Sequence, residues 1–254
     1  MNRLLLAFSA LLLLVTINSC GVDDSDKPEP TGDLEITIVN HVDGKDLVLD
    51  EMIYKNEAGN DYSVTRWQYY LSNFEFKGEK CGDDTPEASY HLISVIDEPN
   101  LGGLFEKTTI IMDVASGCYD RIAFHVGVDD ERRKNGPYQG DLSSIWNMAW
   151  DWSGDYIFMK FEGDFKEDSG DESRAIYHLA GPELYKRIEL DFAEDLVIAG
   201  GETTKITIYA DIDELFKNPN TIDFNKEAGT MQAGSPLANK LGENYANMFS
   251  LAKD

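Results

Sequence analysis

Leu34-Glu35-Ile36-Thr37-Ile38-Val39 alternates apolar and polar residues, which is the period of a strand with one face in a core. The same reading extends outward along the chain. Trp67 to Phe76 is aromatic and rich in strand formers. Further runs are Tyr90 to Ile96, Thr108 to Met112, Arg121 to Val126, Tyr156 to Phe161, Ala175 to Leu179, Arg187 to Phe192 and Thr204 to Ala210. Between them lie the turn signals Asp43-Gly44, Ala58-Gly59-Asn60, Gly82-Asp83-Asp84, Ser169-Gly170 and Gly200-Gly201. Many strands with regular turns and little helix predict an all-β fold, a β-sandwich. A short C-terminal helix is expected over Pro236 to Leu251, where Leu237, Leu241, Tyr245, Met248 and Phe249 fall on one face. Asp213 to Lys217 reads as a short helical turn. No internal repeat or second tether appears, so residues 34–254 read as one domain.

The N-terminus reads differently. Arg3 precedes an apolar run from Leu4 to Val15 that is too short for an ordinary membrane span and suits the core of a signal peptide. The run ends in Ile17-Asn18-Ser19-Cys20, which resembles a bacterial lipobox. The expectation is a signal peptide over residues 1–19, cleavage before Cys20 and a lipid on that cysteine. Residues 20–33 form a polar, proline-punctuated tether that cannot pack a core. Its acidic residues resemble the surface-export signal of Bacteroidota lipoproteins. The expected location is the cell envelope, at the outer membrane, facing the periplasm or the surface, with membrane contact through the lipid alone.

Of 254 residues, 47 are acidic and 22 are Lys or Arg, a formal charge of −25. Such a surface repels phosphate backbones and anionic headgroups, so nucleic acid is an unsuitable partner, while cations and basic surfaces are favoured. Cys81 and Cys118 remain after Cys20. Outside the cytoplasm they could form a disulfide; free thiols and a thiolate metal site are the alternatives, without zinc-ribbon spacing for the last. The disulfide is favoured.

Enzymatic signatures are missing: the sequence has no G-x-S-x-G, H-E-x-x-H, Walker or Rossmann pattern. No catalytic residue is assigned, and the chain is expected not to be an enzyme. A hydrolase using two carboxylates ranks last, because acidic residues are too numerous for any pair to be informative. The loop holding Asp164, Glu167, Asp168, Asp171 and Glu172 lacks the EF-hand order and reads as solvated. Three of the four tryptophans lie in Trp146-Asn147-Met148-Ala149-Trp150-Asp151-Trp152. If that segment is extended, Trp146, Met148, Trp150 and Trp152 share one side. It then forms an aromatic core layer, a sugar-stacking platform, or a tryptophan oxidised beside a metal. The histidines, His41, His91, His125 and His178, all fall in or beside predicted strands. Each is ordinarily structural; brought together, they would suit copper, nickel, zinc or iron.

In order, several motifs resemble the MbnP-like copper-binding family, from about Leu34 to Ala252. They are Val39-Asn40-His41-Val42-Asp43-Gly44; Tyr69-Tyr70-Leu71-Ser72-Asn73-Phe74, close to the family's YYLSN strand; and Tyr90-His91-Leu92-Ile93. Phe124-His125-Val126-Gly127 follows. Met148-Ala149-Trp150-Asp151-Trp152-Ser153, with Lys160-Phe161-Glu162-Gly163, looks like the family's tryptophan block, and Tyr177-His178-Leu179-Ala180-Gly181 like its histidine strand. Asn147 and Ala149 depart from the usual glycine and aromatic, and His125 stands where an aliphatic residue is usual. The resemblance implies copper as the bound metal, held partly by histidine, with a tryptophan oxidised to kynurenine in some members by a di-haem peroxidase partner (MbnH). Neutral indole N–H is a donor only; opening the ring leaves an aniline-like amine with a lone pair. By position, Trp150 and Trp152 are the candidates for modification. His41 and His178 are the preferred ligands, His91 is third and His125 last. A glycan-binding or adhesion-type sandwich is the alternative function.

Overall fold

The computed structural model describes residues 30–98, 103–134, 139–150 and 153–252. Cys20, the signal segment and Trp152 lie outside them. The strands, in chain order, begin with β1 (Thr31–Val42), β2 (Lys45–Asp46), β3 (Tyr54–Lys55), β4 (Asp61–Tyr62) and β5 (Arg66–Lys77). Next are β6 (Tyr90–Glu98), β7 (Gly103–Lys107), β8 (Thr109–Ala115), β9 (Gly117–Val126) and β10 (Met159–Lys166). The last are β11 (Glu172–Leu179), β12 (Lys186–Ile198), β13 (Thr203–Asp211), β14 (Gly229–Thr230) and β15 (Phe249–Leu251). Among the described residues, three short α-helices accompany them: α1 (Asp130–Lys134), α2 (Phe224–Glu227) and α3 (Pro236–Asn244).

The fold is all-β, with two sheets face to face. The smaller is ordered β15-β13-β1-β2, with β8 also on β1. In β1 the alternation of the sequence becomes alternation of burial: Leu34, Ile36, Ile38, Asn40 and Val42 point into the core. β1 pairs in parallel with β13 from Asp33 to His41 and antiparallel with β8. The larger sheet is ordered β12-β9-β5-β10-β11-β14, with β6 and β7 added beyond β5 and β3 and β4 beside β10. One edge of β5 meets β6, and the other is divided between β10, opposite Arg66 to Tyr69, and β9, opposite Leu71 to Lys77. Tyr70 marks the division: its N–H donates to the Phe158 carbonyl, and its carbonyl accepts from Gly127 N–H.

Buried side chains join the sheets. Asn40 Oδ1, on β1, accepts from Trp67 Nε1 at 2.9 Å and from Tyr69 O–H at 3.0 Å, both on β5. These bonds satisfy polar groups that would otherwise be costly in an apolar interior. One end of the core is aromatic, with Tyr62, Phe161, Phe216 and Phe224 meeting edge to face; the Phe216 and Phe224 centroids are 4.9 Å apart. Cys81 and Cys118 are disulfide-bonded, with Cα atoms 5.5 Å apart and a sequence separation of 37. Closing a loop of that length contributes roughly 3–4 kcal/mol by restricting the unfolded chain.

The C-terminus departs from the expected single helix. α3 stops at Asn244, one 3₁₀ turn follows over Tyr245–Asn247, and Phe249–Leu251 become a strand on β13. Spacings of three and four do not distinguish a helix face from two buried anchors. Here Tyr245 and Phe249 are such anchors, and the open edge of β13 takes the backbone between Met248 and Ala252. The short turn near Asp213 is present as a 3₁₀ segment, Ile212–Phe216.

Candidate metal centre

The tryptophan-bearing segment does not run as one extended strand. Gly140–Leu142 and Ser144–Trp146 form two 3₁₀ turns, and Asn147 then adopts a left-handed conformation at φ 55°. Trp146 is thereby turned aside: its Nε1 donates to the Gly140 carbonyl at 2.9 Å, and its ring stacks on Phe105. Met148 to Trp150 pair antiparallel with Asp155 to Ile157, the two arms of a small hairpin. Ile157 N–H bonds to the Met148 carbonyl, and Trp150 N–H to that of Asp155, both at 2.9 Å. Met148, Trp150 and Tyr156 are buried by this arrangement. Arg133, from α1, grips the Asp155 carboxylate through two contacts of 2.6 Å. Trp67 is fully buried and Trp146 half-buried, so no described tryptophan offers an exposed sugar-stacking face.

The segment covers the outer face of the larger sheet. Tyr70 O–H donates to the Asp141 carbonyl, and its ring meets Tyr156 edge on. Beneath it a polar row crosses five strands in register: His178 on β11, Lys160 on β10, Gln68 on β5, Ser94 on β6 and Lys107 on β7. Lys107 pairs with Asp141 at 2.5 Å. Gln68 Nε2 donates to Ser94 Oγ at 3.1 Å. Lys160 is 2% exposed, and its ammonium donates to the Asn147 carbonyl, the hinge of the tryptophan segment. Burial pushes this group down to about 8; Arg66 acts in the same direction and Glu162 opposes them.

His178 belongs to this face. Its Nε2 lies 2.8 Å from Glu162 Oε1, and both side chains are largely buried. That hydrogen bond holds the Glu162 carboxyl below its ordinary range against the opposing effect of burial, with help from the charges of His178, Arg66 and Lys160. The remaining imidazoles lie elsewhere. His41, on the outer side of the smaller sheet, accepts from Gly44 N–H through Nδ1 and sits beside Tyr209, 3.8 Å from Asp211. His125 stacks on Tyr185 at 4.4 Å between centroids. His91 packs edge on against Phe74, on β5. The register pairs His125 with Ser72, so His125 shares the outer face of the larger sheet with His178, but it is covered there by Tyr185, whereas His178 is the histidine beside Lys160, which bonds the tryptophan segment. Among the described residues no group of three or more His, Cys, Asp or Glu side chains is arranged to hold a metal ion. The residues that sequence reasoning missed are Lys160, Glu162 and Gln68. A lysine within the apolar run Tyr156 to Phe161 was the available signal for the first.

His91 carries a separate consequence. Its Nε2 is buried without a hydrogen-bond partner, and burial pushes its pKa down to about 4. A folded-state value below the unfolded one gives stability that is complete above about pH 6.5 and is lost as pH falls toward 4, about 3 kcal/mol in all. Denaturant titrations over this range are expected to show wild type losing that increment relative to His91→Phe. Parallel curves would contradict the burial of a neutral imidazole.

Residues 31–232 match the MbnP family model. The chain belongs to the MbnP family. The match takes in all four histidines, both candidate tryptophans and the polar row of the larger sheet, and stops short of α3. The solved structure of MbnP from Methylosinus trichosporium is similar to this chain at a TM-score of 0.56 and 16% identity, covering 87% of this chain and 98% of that one. At that identity the likeness is one of MbnP fold. No curated protein sequence matches the chain.

Proposed function

We propose that this protein is a copper-handling lipoprotein of the cell envelope, anchored through Cys20 and not itself a catalyst. MbnP-family membership supports the copper role, and one juxtaposition carries the local reading: His178, tied to Glu162, lies on the sheet face that the Trp150 hairpin covers. The described imidazoles and carboxylates make no ready coordination shell, so copper needs a further donor. Oxidation of Trp150 or Trp152 to kynurenine by a di-haem peroxidase partner would supply an aniline-like nitrogen. Copper is the cargo of such a protein, and His178 is the leading protein ligand. His41 ranks below it because it lies on the smaller sheet, His91 because it packs against Phe74, and His125 because its ring is stacked on Tyr185.

The test uses protein from its native host. It is expected to carry copper, and its intact mass is expected to show one tryptophan that has gained oxygen and lost its formyl carbon. His178→Ala is expected to lose the metal while keeping the oxidised residue. Native protein with neither copper nor oxidised tryptophan would reject the reading. The glycan-platform alternative is disfavoured by the burial of Trp67 and Trp150.

A further inference from the structure

We propose that the outer face of the smaller sheet docks a basic segment of a partner protein, with one arginine side chain of that partner seated in a cavity between His41, Asp46 and Tyr209. The inference is independent of the copper reading and concerns the other sheet.

The cavity holds about 360 Å³ and is lined by Val39, His41, Gly44, Asp46 and Tyr209. That is the small end of ligand-sized cavities and suits one long side chain. Strand register gathers the lining. Val39 on β1 is opposite Tyr209 on β13; two residues on, His41 is opposite Asp211 on one edge and Asp46 on the other. Residues two apart on a strand share a face, so these side chains rise together. Gly44 N–H donates to His41 Nδ1, and the imidazole stands edge-on to Tyr209, with ring centroids 5.5 Å apart. Tyr209 remains 37% exposed.

This lining selects a planar cation. The open ring of Tyr209 attracts a guanidinium. Among the described residues, none of Asp43, Asp46 and Asp211 is paired with a lysine or arginine. Lys205, on the same face, is held by Glu35 at 2.9 Å, and Lys45, opposite Val42, falls on the other side of the sheet. A neutral sugar would leave the carboxylates unanswered, and an anion would be repelled. A guanidinium both stacks on an aromatic ring and donates to carboxylates.

The surroundings fit a protein segment. The outward residues of β1, namely Glu35, Thr37, Val39 and His41, all keep solvent contact. Ile111, opposite Glu35 and so about 20 Å along the strand from His41, is 63% exposed. The face thus offers a charged socket at one end and an apolar contact at the other. The chain enters β1 at Thr31, whose carbonyl accepts from Gly201 N–H. The socket lies at the opposite end of that strand, roughly 30 Å away, remote from the N-terminal tether.

Two-dimensional NMR of the full chain at low salt tests the socket with acetyl-Gly-Arg-Gly-amide. Saturable shifts are expected to cluster at Val39, Gly44, Asp46 and Tyr209. Citrulline in place of arginine keeps the shape without the charge and is expected to leave those signals unmoved. Tyr209→Leu and Asp46→Asn are each expected to weaken the arginine peptide about 2–5-fold. Glu194→Gln, an exposed position on β12, is expected to change nothing. An extended octapeptide with arginine at one end and leucine at the other spans the distance to Ile111. It is expected to bind more tightly than the tripeptide and to lose that gain in Ile111→Ser. Arginine shifts spread over the whole acidic surface, an equal response to citrulline, or full affinity in a folded Tyr209→Leu would overturn the socket. An octapeptide that gains nothing over the tripeptide would overturn the docking face.

Discussion

Gly163→Ala is expected to destabilise the protein by about 3 kcal/mol or more, the upper range for forcing an atom into a packed interior. A Cβ at this position would lie 2.1 Å from the Ser63 carbonyl oxygen and 3.1 Å from the Phe161 ring. The nearer obstacle is backbone, and it cannot rotate away. Ser63 N–H bonds to the Asp164 carbonyl, and Thr65 N–H to that of Glu162, both at 2.8 Å, so the chain beside Gly163 is held on either side of it. The methyl would have to part these segments, moving the strand that carries Lys160 and Glu162. Urea denaturation measures the loss, and the copper affinity of the oxidised variant is expected to fall with it. A variant as stable as wild type would mean that the two backbones are not packed as described.

Lys160→Met is expected to remove a pH dependence of similar size. The buried ammonium is pushed down to about 8 from 10.5 in the unfolded chain, so the unfolded state holds more protons between those values. Stability is then highest above the unfolded value and falls as pH drops through the folded one. Relative to Lys160→Met, wild type should gain about 2–3 kcal/mol between pH 8 and pH 10. The substitution also removes the donor to the carbonyl of the exposed Asn147, a loss of about 1 kcal/mol for a hydrogen bond that water can replace. Paired denaturation curves at a series of pH values check both. A difference that stays constant across the window would show that the ammonium remains hydrated.

The fold was legible because burial in strands leaves a period of two. Leu34 to Val39 forms the middle of β1, and Trp67 to Phe76 lies wholly within β5. The two-residue strands β2, β3, β4 and β14 are too short to show any period, and pairing alone defines them. Tyr156 to Phe161 is apolar because a hairpin covers its outer side, so the lysine inside it gave no sign of its burial. The site was less legible than the fold. Spacing cannot tell that His41 and His178 occupy different sheets, and the MbnP resemblance ranked them together. Nor does a glutamate two residues after a lysine announce that it will lie against a histidine on the next strand. The turn at Asn147 was equally hidden: a left-handed residue in the tryptophan run rotates Trp146 away from the hairpin that holds Trp150.

β1 lies inside the smaller sheet, flanked along its length by β13 on one edge and by β8 and then β2 on the other. Any tension arriving from the residues before it is directed along that strand. Drawing β1 out lengthwise strains many hydrogen bonds of two ladders at once, whereas a terminal edge strand can be peeled away one bond at a time. A domain tugged from its N-terminal side would therefore resist as a shear joint, and its mechanical threshold should greatly exceed that for stripping β15 from the opposite edge.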